Sequence, residues 1–136
     1  LGGSSSLINH PQYYNKISVK AYSFDDFIAQ HPYNNLSIDF IKIDAEGAEP
    51  NIIRGMELTI KKYRPIIVSE ILLNNVGEEI EAILKKYDYK FFINKGRYLI
   101  PVNQIQKNIK NDEIFNYFLV HPSKMNLVEE FIKPQN

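Results

Sequence analysis

The chain has 136 residues and carries 16 acidic and 16 basic side chains, so its formal net charge is zero. The length suits one domain with a real core, and the charge balance argues against a nucleic-acid binder, which carries a basic excess. The absence of cysteine excludes disulfides, thiolate nucleophiles and thiolate-bound zinc.

No apolar run approaches the ~18 residues of a membrane span. No basic stretch leads into an apolar one at the N-terminus, so a cytoplasmic protein without a membrane partner is expected. Leu1 to Asn15 reads as a loop-like leader: Gly2-Gly3-Ser4-Ser5-Ser6 has no periodicity, and His10-Pro11 is an extended or turn signal. Ile17 to Tyr22 largely alternates apolar and polar, which predicts a strand. Ser23-Phe24-Asp25-Asp26 fits the capping-box pattern and opens a short helix with Phe24, Phe27 and Ile28 on one side, ending before Pro32. Asp25 and Asp26 read as charges that complement the positive end of that helix.

Ile38 to Ile43 reads as a buried strand, followed at once by Asp44, Glu46 and Gly47. A helix then starts with Pro50 in its first turn, where a missing N–H costs nothing. Ile52, Ile53, Met56, Ile60 and Tyr63 recur at helical spacing, with Gly55 a mild break and Arg64-Pro65 the end. Ile66 to Leu73 is a continuous apolar run with Glu70 inside it, as in a parallel strand covered on both faces. The next helix runs from about Val76 to Tyr87, with Val76, Ile80, Ile83, Leu84 and Tyr87 on its apolar face. Tyr89 to Ile93 and Arg97 to Ile100 form a hairpin about Asn94-Lys95-Gly96. Residues 102–114 read as a surface connection, Phe115 to Val120 as a last strand and Met125 to Ile132 as a short helix. Strands alternating with helices imply right-handed parallel crossovers and a layered α/β sheet.

Chemistry is expected at the carboxyl end of the strand at 38–43, because ligands of open α/β sheets sit there. Alternation puts Lys42 and Asp44 on one face, with Glu46 on the turn beyond. A lysine beside two acids pairs with them and keeps them ionised, or contacts a charged substrate group. An ionised acid there can take a proton from a hydroxyl, or hold an amine or a metal. Complementing the next helix also accounts for an acid near its start. It does not account for Lys42 and Asp44 standing together at the end of a strand read as buried. Glu70 ends the next strand, and parallel pairing would bring it to Asp44 or Glu46; an ion pair with Lys42 or Arg54 accounts for it equally well. His10, His31 and His121 fit no metal spacing and read as loop histidines. There is no glycine-rich phosphate loop and no serine nucleophile elbow.

The stretch Ile38-Asp39-Phe40-Ile41-Lys42-Ile43-Asp44-Ala45-Glu46-Gly47-Ala48-Glu49 resembles the signature of the FkbM-type methyltransferases. Their pattern, Lys-x-Asp-x-Glu-Gly-x-Glu after an apolar strand, is matched by Lys42, Asp44, Glu46, Gly47 and Glu49. Gly3-Ser4-Ser5-Ser6-Leu7, Tyr22 to Asp26, Arg64 to Glu70 and Asn116 to Pro122 are similar to its flanking segments, and Pro50 departs mildly. The resemblance implies a Rossmann-like layered sheet of the class I methyltransferase type, mostly parallel with an antiparallel C-terminal part. It implies S-adenosylmethionine as cofactor and O-methyl transfer to a hydroxyl of a small molecule or sugar. Asp44 or Glu46 would orient or deprotonate the acceptor and Lys42 would set their charge state, with Glu70 a further catalytic candidate. In this family the donor binds mainly on the first two strands, through a glycine-bearing turn and a following acid. Neither lies upstream of residue 17, so residues 1–136 are expected to be one domain forming the C-terminal part of such an enzyme, with Asp44 the one candidate donor contact. With those strands lost, the piece is expected to re-pair its strands, to open a sheet edge that invites pairing with a second copy, or to be part of a longer chain. The competing expectations are a non-catalytic α/β binding or assembly module and, more weakly, a metal-dependent hydrolase using Asp44, Glu46 and Glu70.

Overall fold

The computed structural model describes residues 19–30, 36–71, 74–105 and 115–133. Helix α1 (Phe24–Gln30) comes first, then strand β1 (Phe40–Ile43), helices α2 (Glu49–Arg54) and α3 (Glu57–Tyr63), and strand β2 (Ile66–Ile71). Helix α4 (Asn74–Leu84) follows, extended by a 3-10 turn at Lys85–Tyr87. Strands β3 (Lys90–Lys95), β4 (Tyr98–Val102) and β5 (Phe115–Val120) complete the sheet, and 3-10 turns at Pro122–Leu127 and Glu129–Phe131 close the chain.

The five strands lie in the order β1-β2-β5-β3-β4. β1 and β2 are parallel, from Phe40 against Ile66 to Ile43 against Ser69. β5 runs antiparallel to both β2 and β3, and β3 and β4 form an antiparallel hairpin. The expected mostly parallel sheet is therefore corrected: one pair is parallel and three are antiparallel. Only the β1–β2 connection is a helical crossover between adjacent strands. The α4 crossover skips a position, and β5 fills the gap in the opposite direction. Mixed sheets of this kind are common in α/β folds.

The sheet has two different faces. Ile43, Ile67, Ile71, Phe91, Ile93, Tyr117 and Leu119 pack against Ile53, Met56 and Ile60 of the α2–α3 region and Ile80, Ile83 and Leu84 of α4. Each such side chain contributes about 1.5–3 kcal/mol on full burial. On the opposite face Ile66, Phe92, Leu99 and Val120 meet Val128 from the closing segment. That segment is pinned by Lys124 Nζ to Asp39 Oδ1 at 2.6 Å, which also holds the Asp39 carboxyl below its ordinary pKa. A main-chain bond from Lys133 N to Leu99 O at 3.1 Å holds its end.

The strand expected over Ile17 to Tyr22 is not formed over its described part, residues 19–22; Val19 is 70% exposed, and no described strand offers it a ladder. β1 is an edge strand rather than a buried one: Phe40 is 57% exposed and only Ile43 is buried. The helix expected after Pro50 is two helices, because the chain changes course at Gly55-Met56. A side chain on Gly55 would stand 3.3 Å from Ser23 Cβ, and its carbonyl accepts from Asp25 N at 3.0 Å. The C-terminal helix is replaced by 3-10 turns, opened by His121, whose Nδ1 accepts from Ser123 N at 3.0 Å. The helix at α4, the hairpin and β5 agree with the sequence pattern. Expectations for residues 1–18, 31–35, 72–73 and 106–114, His10 and His31 included, lie outside the described residues.

Asp25 does not chiefly serve its own helix. Its carboxylate accepts from Leu58 N at 2.8 Å, Thr59 N at 2.9 Å and Thr59 Oγ1 at 2.7 Å, at the start of α3. It thus satisfies donors that a helix start leaves open, while Ser23 and Asp26 bond each other at the start of α1. Asp25→Ala is expected to cost about 1–2 kcal/mol, measured by urea unfolding, whereas Asp26→Ala costs less. Equal losses would mean that the tie between α1 and α3 adds nothing.

Candidate active site

The parallel pairing of β1 and β2 sets the site. Lys42 lies opposite Val68 and Ile43 opposite Ser69, so one further step of the register brings Asp44 beside Glu70. Side chains alternate along a strand, so Lys42 and Asp44 share the face of Val68 and Glu70. Lys42 Nζ donates to Asp44 Oδ2 at 2.9 Å, with both side chains about half exposed. The Asp44 carboxylate holds the Lys42 ammonium above its ordinary pKa.

Beyond β1 the chain makes a strained turn. Glu46 takes a left-handed conformation, φ 51°, and Gly47 follows at φ 100°. The left-handed region costs a non-glycine residue of order 1 kcal/mol or more, so something must hold Glu46 there. Glu49, only 2% exposed at the first position of α2, supplies that tether. Its Oε1 accepts from Ala45 N at 3.0 Å and Gly47 N at 3.2 Å, on either side of Glu46. Its Oε2 is buried and meets no protein donor among the described residues. Glu46 itself is exposed.

Glu70 is the electrostatic outlier. Burial raises its pKa first, the negative charges of Asp44 and Glu46 raise it further, and Lys42 offsets part of this. The structure therefore brings Lys42, Asp44, Glu46 and Glu70 into one electrostatic neighbourhood. Arg54, the other partner considered for Glu70, instead bonds Glu79 Oε2 at 2.6 Å. Among the described residues no three acids or histidines converge closely enough to hold a metal ion. His121 has its Nδ1 engaged by Ser123 at its turn, and burial lowers its pKa.

The residue missed as functional is Glu49. It stands in the signature, but nothing in its spacing showed that it would fold back onto the turn rather than face solvent. The one available signal was its place in a helix's first turn, where the positive end of the helix dipole favours a carboxylate.

An α/β domain with charged side chains gathered at the carboxyl end of a parallel β-α-β pair is the frame of many ligand-binding enzymes. Residues 1–91 match the family model described as the methyltransferase FkbM domain, and the chain belongs to that methyltransferase family. No curated protein matches the chain, and no solved structure does. No described helix is long and apolar enough to cross a membrane.

Two outcomes follow for stability. Glu49→Ala removes the acceptor for two turn amides and leaves a void, and is expected to cost about 2–3 kcal/mol in chemical denaturation. Glu49→Gln keeps an acceptor oxygen and costs less; an equal loss would remove the tether role. For Glu70, a folded-state pKa above the unfolded one means that the native state binds more protons between the two values. Stability therefore falls as pH rises through that window. Glu70→Gln is expected to unfold at higher urea than wild type at pH 7 and to lose that advantage near pH 4. A pH-independent difference would contradict the assigned cause.

Proposed function

We propose that this chain provides the acceptor side of an S-adenosylmethionine-dependent O-methyl transfer to a hydroxyl of a small molecule or saccharide. The reading rests on the Lys42–Asp44 ion pair at the end of β1, with Glu46 and Glu70 beside it, in a chain of the methyltransferase FkbM family. The β1–α2–α3–β2 unit is then read as part of a Rossmann-like sheet.

The work assigned to these residues is proton transfer and orientation. Asp44 or Glu46 accepts the hydroxyl proton of the acceptor, raising the nucleophilicity of its oxygen. Lys42 orients Asp44 through their ion pair, and the left-handed turn fixes where Glu46 points. Methyl transfer needs aligned partners above all, so one oriented base suffices. The described residues do not fit a complete donor site. The described residues ahead of β1 contain no glycine and so supply no glycine turn there. Asp44 remains the one candidate contact, and no step is assigned to residues that would hold the donor.

The test is transfer of labelled methyl from S-adenosylmethionine to a panel of sugars and hydroxyl compounds, joined to calorimetric titration of the donor. Asp44→Asn is expected to lower transfer about 10²–10⁴-fold, with Lys42→Met less harmful. Undiminished transfer in the Asp44→Asn, Glu46→Gln double variant would overturn the assignment. No heat with donor would mean that this chain alone does not bind it, and would favour the reading of a binding or assembly module.

A further inference from the structure

The sheet face opposite the helices is only partly covered by the closing 3-10 segment. A cavity of about 340 Å³ remains between that segment, β1 and the β3–β4 hairpin. Phe40, Phe118, Leu127 and Phe131 line it, together with Asn94 and Arg97. Its walls are fixed: Lys124 is tied to Asp39 at 2.6 Å, Val128 is buried, and Lys133 N bonds Leu99 O at 3.1 Å. Phe40, Leu127 and Phe131 are all exposed, as is the neighbouring lining residue Tyr98. Large apolar side chains gathered in this way at one place mark a binding surface more often than scattered ones do.

The charge at this cavity is one-sided. Arg97 is the one charged residue among its described lining, and it makes no ion pair with a described residue. Glu129 and Glu130 stand on the same closing segment but do not line the cavity. A lone guanidinium at an apolar opening complements a carboxylate, which it can bind through two parallel N–H bonds. The volume lies at the low end of small-molecule pockets, of order 300–1,000 Å³. Most of the lining follows residue 91 and so lies outside the family match.

We infer that this pocket binds a small apolar anion, a medium-chain or aryl carboxylate, with its apolar body among Phe40, Phe118, Leu127 and Phe131 and its carboxylate at Arg97. The site is independent of the methyl-transfer reading and stands or falls without it. The test titrates the isotope-labelled chain with hexanoate, octanoate and 1-octanol and follows its amide resonances. Octanoate is expected to shift Asn94, Leu99 and Phe118. It should bind about tenfold more tightly than hexanoate, since each added CH₂ is worth about 0.8 kcal/mol. Arg97→Gln, at an exposed turn, should weaken octanoate about tenfold and leave 1-octanol unchanged, while Phe131→Ser, or Leu127→Ser if that variant fails to fold, weakens both. No shifts at millimolar octanoate, shifts confined to other residues, or octanol binding as tightly as octanoate would overturn the proposal.

Discussion

The carboxylate of Glu49 is the constraint on which the functional end of this domain depends. A buried acid at the start of a helix reaches back over four residues and takes the amides of Ala45 and Gly47. Those two bonds bracket Glu46, which a free chain would seldom hold at φ 51°. Without the tether the turn would relax toward ordinary backbone angles, and the exposed carboxylate of Glu46 would point elsewhere. One acid is thus sacrificed to structure so that another can stand in solvent at a fixed angle. The burial of Glu49 is offset by those two turn amides, which precede the helix, and by the positive end of the helix dipole.

The second constraint is the parallel register of β1 and β2. It fixes which side chains share a face, so Lys42, Asp44 and Glu70 come together while Ile43 and Ser69 turn toward the helices. A shift of one residue would bury Lys42 and Asp44 and expose Ile43. The apolar run of β2 resists that slip: Ile67 and Ile71 are locked in the helix-side core, and Ile66 and Val68 are buried on the other face. The stability of the site is therefore supplied by side chains with no chemistry of their own.

Much of this was legible in the residues. Continuous apolar character from Ile66 marked a strand covered on both faces, and β2 is one. Asn94-Lys95-Gly96 marked the hairpin, and the alternation of Lys42 and Asp44 placed them together correctly. What escaped were effects of distant partners. Gly55 reads locally as a tolerated break, yet the close approach of Ser23 and the reach of Asp25 to Leu58 and Thr59 split the helix in two. β5 reads as a strand of either direction, and only its insertion between β2 and β3 makes the sheet mostly antiparallel. Ile17 to Tyr22 has strand alternation, but alternation is a preference for a half-buried surface, and residues 19–22 find no such surface among the described elements.

The four charged residues at this end of the sheet do not share one environment. Asp44 has a cation at 2.9 Å and open solvent, while Glu70 sits deeper and faces the negative charges of Asp44 and Glu46. A ligand group that neutralised both Asp44 and Glu46 would remove two of the causes that hold the Glu70 pKa up, leaving burial and the charge of Glu49. The Glu70 pKa is therefore coupled to the charge at the end of β1.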